Sequence, residues 1–316
     1  MNPLVRILQP ERMQTKYFTA MNARKLLALA SAFLFVVAGL TSCNKDNFGK
    51  DADKKLGKYE ISDASSPIKS IELTRDGEYI ITKNPAFTKS NDDLDLDDVW
   101  LYGNFTFVDG AYVLQGFGKI VIDLLRGGAA EIFIDSGGWD PFTVNASLAS
   151  TVQETKINKS LCRHWIFDKT TASISYNGTT LFELDLSGGD FSEWFRRTGD
   201  ADANENLDNE CTGLIFTESG TYAVVYDNGK VNVGSWSWEN TENGSLKCDW
   251  STQYQSHFKD YRFQGALIVD VQEGNPATCT IERSFESTME KYHIFSDPSS
   301  HSVKASLIYY LKEYKD

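Results

Sequence analysis

Residues 214–222 read L-I-F-T-E-S-G-T-Y, and residues 71–79 read I-E-L-T-R-D-G-E-Y. In both, a β-rich run ends in Thr, Gly follows three residues later, and Tyr stands two residues beyond the Gly. Ser-Gly or Asp-Gly between such runs is a strong hairpin signal, because Gly takes positive φ without penalty. The chains continue as A223-V224 and I80-I81, so each segment is a strand, a tight turn and a second strand. Further on, Y102-G103-N104-F105-T106-F107 answers V233-G234-S235-W236-S237-W238, and turns follow at Asp109-Gly110 and Asn243-Gly244. The first glycine pair is offset by 143 residues and the second by 131. The first copy therefore carries extra residues between the two segments. The acidic stretch N91-D92-D93-L94-D95-L96-D97-D98 lies in that interval, where an insertion is tolerated. The match is a candidate internal duplication, and the all-β reading stands without it.

Strand-like runs cover 163–175, 179–186, 214–217, 222–226, 231–238, 245–250, 262–271, 278–285 and 303–310. Asn177-Gly178 makes a further hairpin turn, and 191–197 (FSEWFRR) reads as a short amphipathic helix. Eight or nine meandering strands suit an up-and-down barrel or a curved two-sheet sandwich, either of which protects strand edges. Residues 58–150 hold six or seven strands, enough for a smaller antiparallel β-domain, as a sandwich or a partial barrel leaning on its neighbour. Residues 151–160 read as a linker between it and a domain spanning 161–316.

The segment L161-C162-R163-H164-W165-I166-F167-D168 resembles the first strand of lipocalin-like domains, in which a Trp after a turn closes one barrel end. Residues 214–222 followed by G234-S235-W236-S237-W238 resemble the "apolar-Thr-x-x-Gly-x-Tyr … Gly-x-Trp-x-Trp" pattern of lipocalin-like lipoproteins from Bacteroidota-type bacteria. The resemblance covers roughly residues 160–316 and, more weakly, 56–150. It implies an up-and-down barrel and an envelope address, and little chemistry. The N-terminal region departs from the pattern, since it shows no Trp-bearing first strand.

The address has its own signal. M21-N-A-R-K opens a positive segment, an apolar core of 15 residues spans 26–40, and L40-T41-S42-C43 follows. That core suits a signal peptide, whereas a membrane-spanning helix wants roughly 20 apolar residues. The terminus resembles the lipobox of bacterial lipoproteins, which implies cleavage of the 21–42 signal, diacylation of Cys43 and stable two-chain anchoring. Residues 1–20 read as an upstream extension. Residues 43–57 are polar and read as a flexible tether, and Lys45-Asp46 resembles the export signal of surface lipoproteins. The expected location is the outer membrane, with the acyl anchor as the membrane contact.

The chain carries 31 basic and 44 acidic side chains, for a net charge of −13; without residues 1–43 these become 26 and 43, or about −17. Such a surface repels phosphate backbones, so nucleic acid is excluded as a partner. Cys162, Cys211, Cys248 and Cys279 permit two disulfides in an exported protein. Alternation also places Cys248 with Leu246 and Trp250, and Cys279 with Ile281, on core-facing sides, and the sequence leaves both readings open. No zinc-protease helix, nucleophile elbow or phosphate-binding loop occurs, so no catalytic residue, cofactor or enzyme activity is expected. Asp200, Asp202 and Asn204 alternate as calcium ligands do. Glu205 and Cys211 stand where that loop needs Gly and a bidentate Glu, so no metal is assigned.

Trp236 and Trp238 alternate with serines and share one face, which the pattern makes the barrel interior. They are the candidate ligand-lining residues, with core packing as the plainer role. The expected function is non-catalytic binding of a small apolar molecule or glycan fragment in the barrel mouth. The alternative is an assembly subunit docking on another envelope protein.

Overall fold

The computed structural model describes residues 55–87, 95–152, 155–188, 210–250, 265–288 and 302–315. The leader, Cys43, the helix expected at 191–197, the acidic loop with Asp200, Asp202 and Asn204, and His257, His293 and His301 lie outside these residues. Among the described residues no helix is long and apolar enough to cross a membrane.

The fold is all-β, in two closed eight-stranded antiparallel up-and-down barrels. The first runs through β1 (Gly57–Ile61), β2 (Ile68–Leu73), β3 (Glu78–Lys83), β4 (Trp100–Val108), β5 (Ala111–Leu114), β6 (Gly118–Leu124), β7 (Ala129–Ser136) and β8 (Phe142–Leu148). It closes where Tyr59 of β1 pairs with Leu148 of β8. The smaller N-terminal domain is thus a complete barrel rather than a sandwich or a partial one. Closure removes the free edges that an open sheet of this size would expose.

The second barrel uses β9 (His164–Tyr176), β11 (Cys211–Phe216), β12 (Thr221–Tyr226), β13 (Val231–Asn240), β14 (Ser245–Trp250), β15 (Gly265–Gln272), β16 (Thr278–Thr288) and β17 (Ser302–Glu313). β17 closes it by pairing with β9 from Trp165↔Glu313 to Tyr176↔Val303. The opposite edge of β9 is shared by β11, at residues 164–166, and β10 (Thr179–Ser187), at residues 169–176. Two short α-helices, with 3-10 turns at Pro85–Phe87 and Arg126–Gly128, complete the described chain. α1 (Leu96–Val99) carries a capping box between Asp95 and Asp98, so the acidic stretch ends in a helical turn. α2 (Lys156–Leu161) lies in the segment read as linker and starts at Thr155, whose hydroxyl accepts from Asn158 N.

The two copies seen in the sequence occupy the same places in the two barrels. Leu73 pairs with Tyr79 as Phe216 pairs with Tyr222, and Tyr79 pairs with Gly103 as Tyr222 pairs with Gly234. The Thr hydroxyl of each hairpin accepts the N–H four residues on, Glu78 from Thr74 and Thr221 from Thr217, both at 3.1 Å. That bond closes the turn. Each turn glycine has positive φ, 79° at Gly77 and 80° at Gly220, and its carbonyl accepts from the next strand, Phe105 N and Trp236 N, both at 2.7 Å. The strand glycines have a different reason. A Cβ on Gly234 would stand 2.5 Å from Tyr222 Cε1, and one on Gly103 would stand 3.0 Å from Tyr79 Cε1. The Tyr ring lies on the glycine, and the motif is a packing rule.

The first strands correspond too. Lys58 pairs with Glu72 as His164 pairs with Ile215, so Tyr59 is the counterpart of Trp165. Both are fully buried. Each donates to the backbone carbonyl four residues earlier, Tyr59 Oη to Lys55 O and Trp165 Nε1 to Leu161 O, both at 2.8 Å. The missing Trp of the N-terminal domain is replaced by a Tyr making the same bond.

Substituting Gly234 with Ala forces backbone and ring apart, because Asp249 O also lies 2.5 Å from the added carbon. The expected cost is about 2 kcal/mol. Gly103→Ala, where the closest approach is 3.0 Å to a side chain, costs less. Urea unfolding of the two variants checks the order.

Candidate functional site at the junction of the barrels

Among the described residues, each barrel holds a packed core of side chains. Tyr59, Ile71, Tyr112, Ile120, Ile132 and their neighbours pack the first, and Trp165, Tyr222, Trp236, Leu246, Ile281 and Tyr309 the second. Trp236 is buried edge-to-face against Phe216 and Trp238, and its Nε1 donates to Thr217 O at 3.0 Å. Trp238 packs beside it with its Nε1 on Asn158 Oδ1 of α2. Both indole N–H groups are therefore engaged within the protein. The two rings join strand β13 to the helix and hairpin beneath it, and they line none of the three cavities described next.

The cavities lie between the barrels, which belong to one packed unit, residues 48–316. The outer faces of β3, β4, β11, β12 and β13 meet there. Ile80, Val99, Trp100, Ile215, Ala223, Val225, Val231 and Val233 form a buried cluster separate from either barrel core. Every residue of β12 is consequently buried, because one of its faces lines a barrel and the other the junction.

Polar contacts around this cluster come in counterpart pairs, as in an isologous interface where residue i meets j and j meets i. Arg75 meets Glu218, its own counterpart, at 3.2 Å. His164 Nδ1 lies 2.7 Å from Glu78 Oε1, and Lys58 Nζ lies 3.4 Å from Thr221 Oγ1. His164 and Lys58 are counterparts, and so are Glu78 and Thr221.

Glu78 and His164 form a buried polar pair at the junction. Tyr102 Oη donates to Glu78 Oε1 at 2.8 Å, and His164 N donates to Asp76 Oδ2 at 2.9 Å. Gly213 leaves the room for the imidazole, since a Cβ there would stand 2.6 Å from His164 Nε2. The Tyr314 ring covers the imidazole with centroids 4.6 Å apart. Glu78 Oε2 has no hydrogen-bond partner among the described residues. No sequence motif marks His164 as a site residue, and its partner is 86 residues away.

At the hairpin ends the junction opens into a cleft of about 130 Å³, lined from one barrel by Lys58, Glu72, Thr74, Arg75 and Ala149 and from the other by Cys162, Arg163, Thr217, Glu218 and Ser219. An adjoining compartment of about 290 Å³ shares Arg75, Thr151 and Glu218 and reaches Asn158 and Lys159. A third groove of about 320 Å³ lies beside Lys58, Lys69, Trp100 and Ser235. Within the cleft Ser219 Oγ bonds Glu72 Oε1, and Arg163 spans Glu273 and Glu313 at 3.3 and 3.2 Å over the Trp165 ring.

The cleft carries ammonium, guanidinium, carboxyl and hydroxyl groups. Cys162, its one thiol, is pushed up to about 12, chiefly by burial and then by the negative charge of Glu218, so it makes a poor nucleophile. Cys248 and Cys279 are buried free thiols, also pushed up by burial, and they and Cys211 sit in the second core. Among the described residues no group of three or more His, Cys, Asp or Glu is arranged to hold a metal.

No protein-family model matches the chain, and no curated protein is similar to it. Among solved structures, a protein of unknown function from the DUF3598 family of Nostoc punctiforme is similar over 84% of this chain and 98% of that one. The identity is 10% and the TM-score 0.20, a level that carries no structural argument.

Burial decides which contacts matter. Breaking the His164–Glu78 pair by Glu78→Ala is expected to cost about 3 kcal/mol, with a coupling above about 1 kcal/mol in a double-mutant cycle with His164→Ala. The Arg75–Glu218 cycle should give about 0.5 kcal/mol or less, since these side chains are 69% and 34% exposed.

Thiol labelling provides a second check. At pH 8 a thiol near 12 is thiolate in roughly one molecule in 10,000. Cys162, Cys248 and Cys279 should react slowly in the native protein and quickly in urea, and Cys162 should speed up as pH rises toward 12.

Proposed function

We propose that the protein is a lipid-anchored envelope protein, of the lipocalin-like lipoprotein kind, that binds a small polar molecule without transforming it. The ligand sits in the cleft between the barrels, not in a barrel mouth. One observation carries this reading: among the described residues both barrels hold packed cores, with Trp236 and Trp238 tied into that packing, whereas the described cavities gather charged and hydroxyl groups from both barrels. Pockets that hold small molecules run to roughly 300–1,000 Å³, and the two adjoining compartments together reach the lower part of that range. Their mixed lining favours a glycan fragment or another polar ring over a purely apolar guest. Acylation at Cys43 supplies the location, and the tether supplies reach into the envelope.

The assembly-subunit reading keeps one supporting feature. β10 stands at the end of the sheet order, and Leu181 on it is 66% exposed. Such a strand can receive another chain by edge pairing.

Two measurements separate these ideas. Replacing Cys43 with Ser should abolish both palmitate labelling and cleavage before residue 43; a variant still labelled or still cut there refutes the anchor. Native mass spectrometry of the detergent-solubilised protein from its own host should show a retained small molecule. A clean apo mass across growth conditions refutes the binding reading and leaves the assembly subunit.

A further inference from the structure

The backbones of the two halves of the junction correspond, and at one position the side chains differ sharply in size. Tyr59 pairs with Leu148 as Trp165 pairs with Glu313, so Ala149 is the counterpart of Tyr314. Their backbones confirm it: Ala149 N donates to Lys58 O at 2.8 Å and Tyr314 N to His164 O at 2.9 Å. On the C-terminal side, the Tyr314 ring lies over His164. On the N-terminal side the counterpart is a methyl group beside Lys58. There the space opens into the 130 Å³ cleft, with Lys58, Leu148 and Ala149 in its wall.

The charges diverge at the same place. His164 faces the carboxyl group of Glu78 at 2.7 Å, while among the described residues Lys58 meets only the hydroxyl of Thr221, at 3.4 Å. The other cations of the cleft have carboxyl partners: Arg75 has Glu218, and Arg163 has Glu273 and Glu313. Lys58 is half-buried, and an ammonium removed from water gains strongly from a charged acceptor. The volume also limits the guest. An apolar cavity of about 150 Å³ holds one benzene ring, so the cleft suits a single ring and not a chain of them.

We infer that the cleft takes one six-membered ring carrying a carboxylate, the ring lying beside Ala149 as the Tyr314 ring lies beside His164, and the acid on Lys58 Nζ. Leu56, Leu148 and Phe216 offer apolar walls, and Thr74, Thr217 and Ser219 offer hydroxyls at the rim. An aromatic acid and a sugar acid share this chemistry. The inference rests on the cleft-binding reading and sharpens it.

The test titrates the detergent-solubilised full chain with benzoate and with glucuronate by calorimetry, beside their neutral analogues benzyl alcohol and glucose. At least one acid should bind, at least tenfold more tightly than its neutral analogue, and which acid does so identifies the source. Lys58→Met should weaken that acid at least tenfold. Ala149→Tyr, which copies the other half of the molecule, should abolish binding with the far-UV spectrum and melting temperature retained. Failure of both acids to bind, or binding that survives both substitutions, overturns the inference. A host molecule found by native mass spectrometry and still carried by Ala149→Tyr would also overturn it, leaving small-molecule binding intact. Absence of any bound or titrated molecule sinks both.

Discussion

The structure depends on an apolar seam between two barrels that are each already closed. A barrel strand normally buries one face and wets the other. β12 buries both, because Tyr222 and Val224 point into a core while Ala223 and Val225 meet Ile80 and Trp100 of the first barrel. Fully burying a Val or Ile side chain contributes on the order of 1.5–3 kcal/mol, and the seam holds eight buried residues. That burial sets the approach of the barrels to within side-chain contact. The Glu78–His164 pair and the cleft exist only because of it.

The seam joins like to like. Counterpart residues join the same cluster from both sides: Ile80 and Ala223, Trp100 and Val231, Tyr102 and Val233. Arg75 and Glu218 form a bridge between positions that the duplication makes equivalent. A self-complementary surface of this kind is what a twofold dimer uses, here within one chain. The cleft lies where equivalence breaks. Glu78 and Thr221, His164 and Lys58, and Tyr314 and Ala149 are counterparts that differ in charge or size. The first half of the junction is left open and cationic where the second is closed and neutralised.

Much of the fold was legible because hairpin chemistry is local. Thr-x-x-Gly-x-Tyr specifies a turn through one hydroxyl, one positive φ and one ring, all within nine residues, and the described parts of the strand runs read from 163 onward fall on observed strands to within a residue or two. Closure of the first barrel was not legible, because the expected Trp is a Tyr and the role belongs to a bond that either aromatic can make. The capped turn at 96–99 was hidden by the alternation of Leu94 and Leu96, which mimics a strand until Asp95 and Asp98 close on each other. The candidate site was largely illegible. Trp236 and Trp238 stood out by type and pattern, yet alternation reports only which face a side chain takes, and that face is packed.

The sequence by itself determined an all-β chain, two related hairpin units with turns at Gly77 and Gly220, and the absence of any recognised catalytic motif. These follow from dihedral limits and period-two alternation, which act over a few residues. Only the tertiary structure decided that both units close into barrels, that Glu78 meets His164, and that a cleft opens between Lys58 and Ala149. Those facts depend on which outer faces come together, and strand pattern carries no information about what lies on the far side of a sheet.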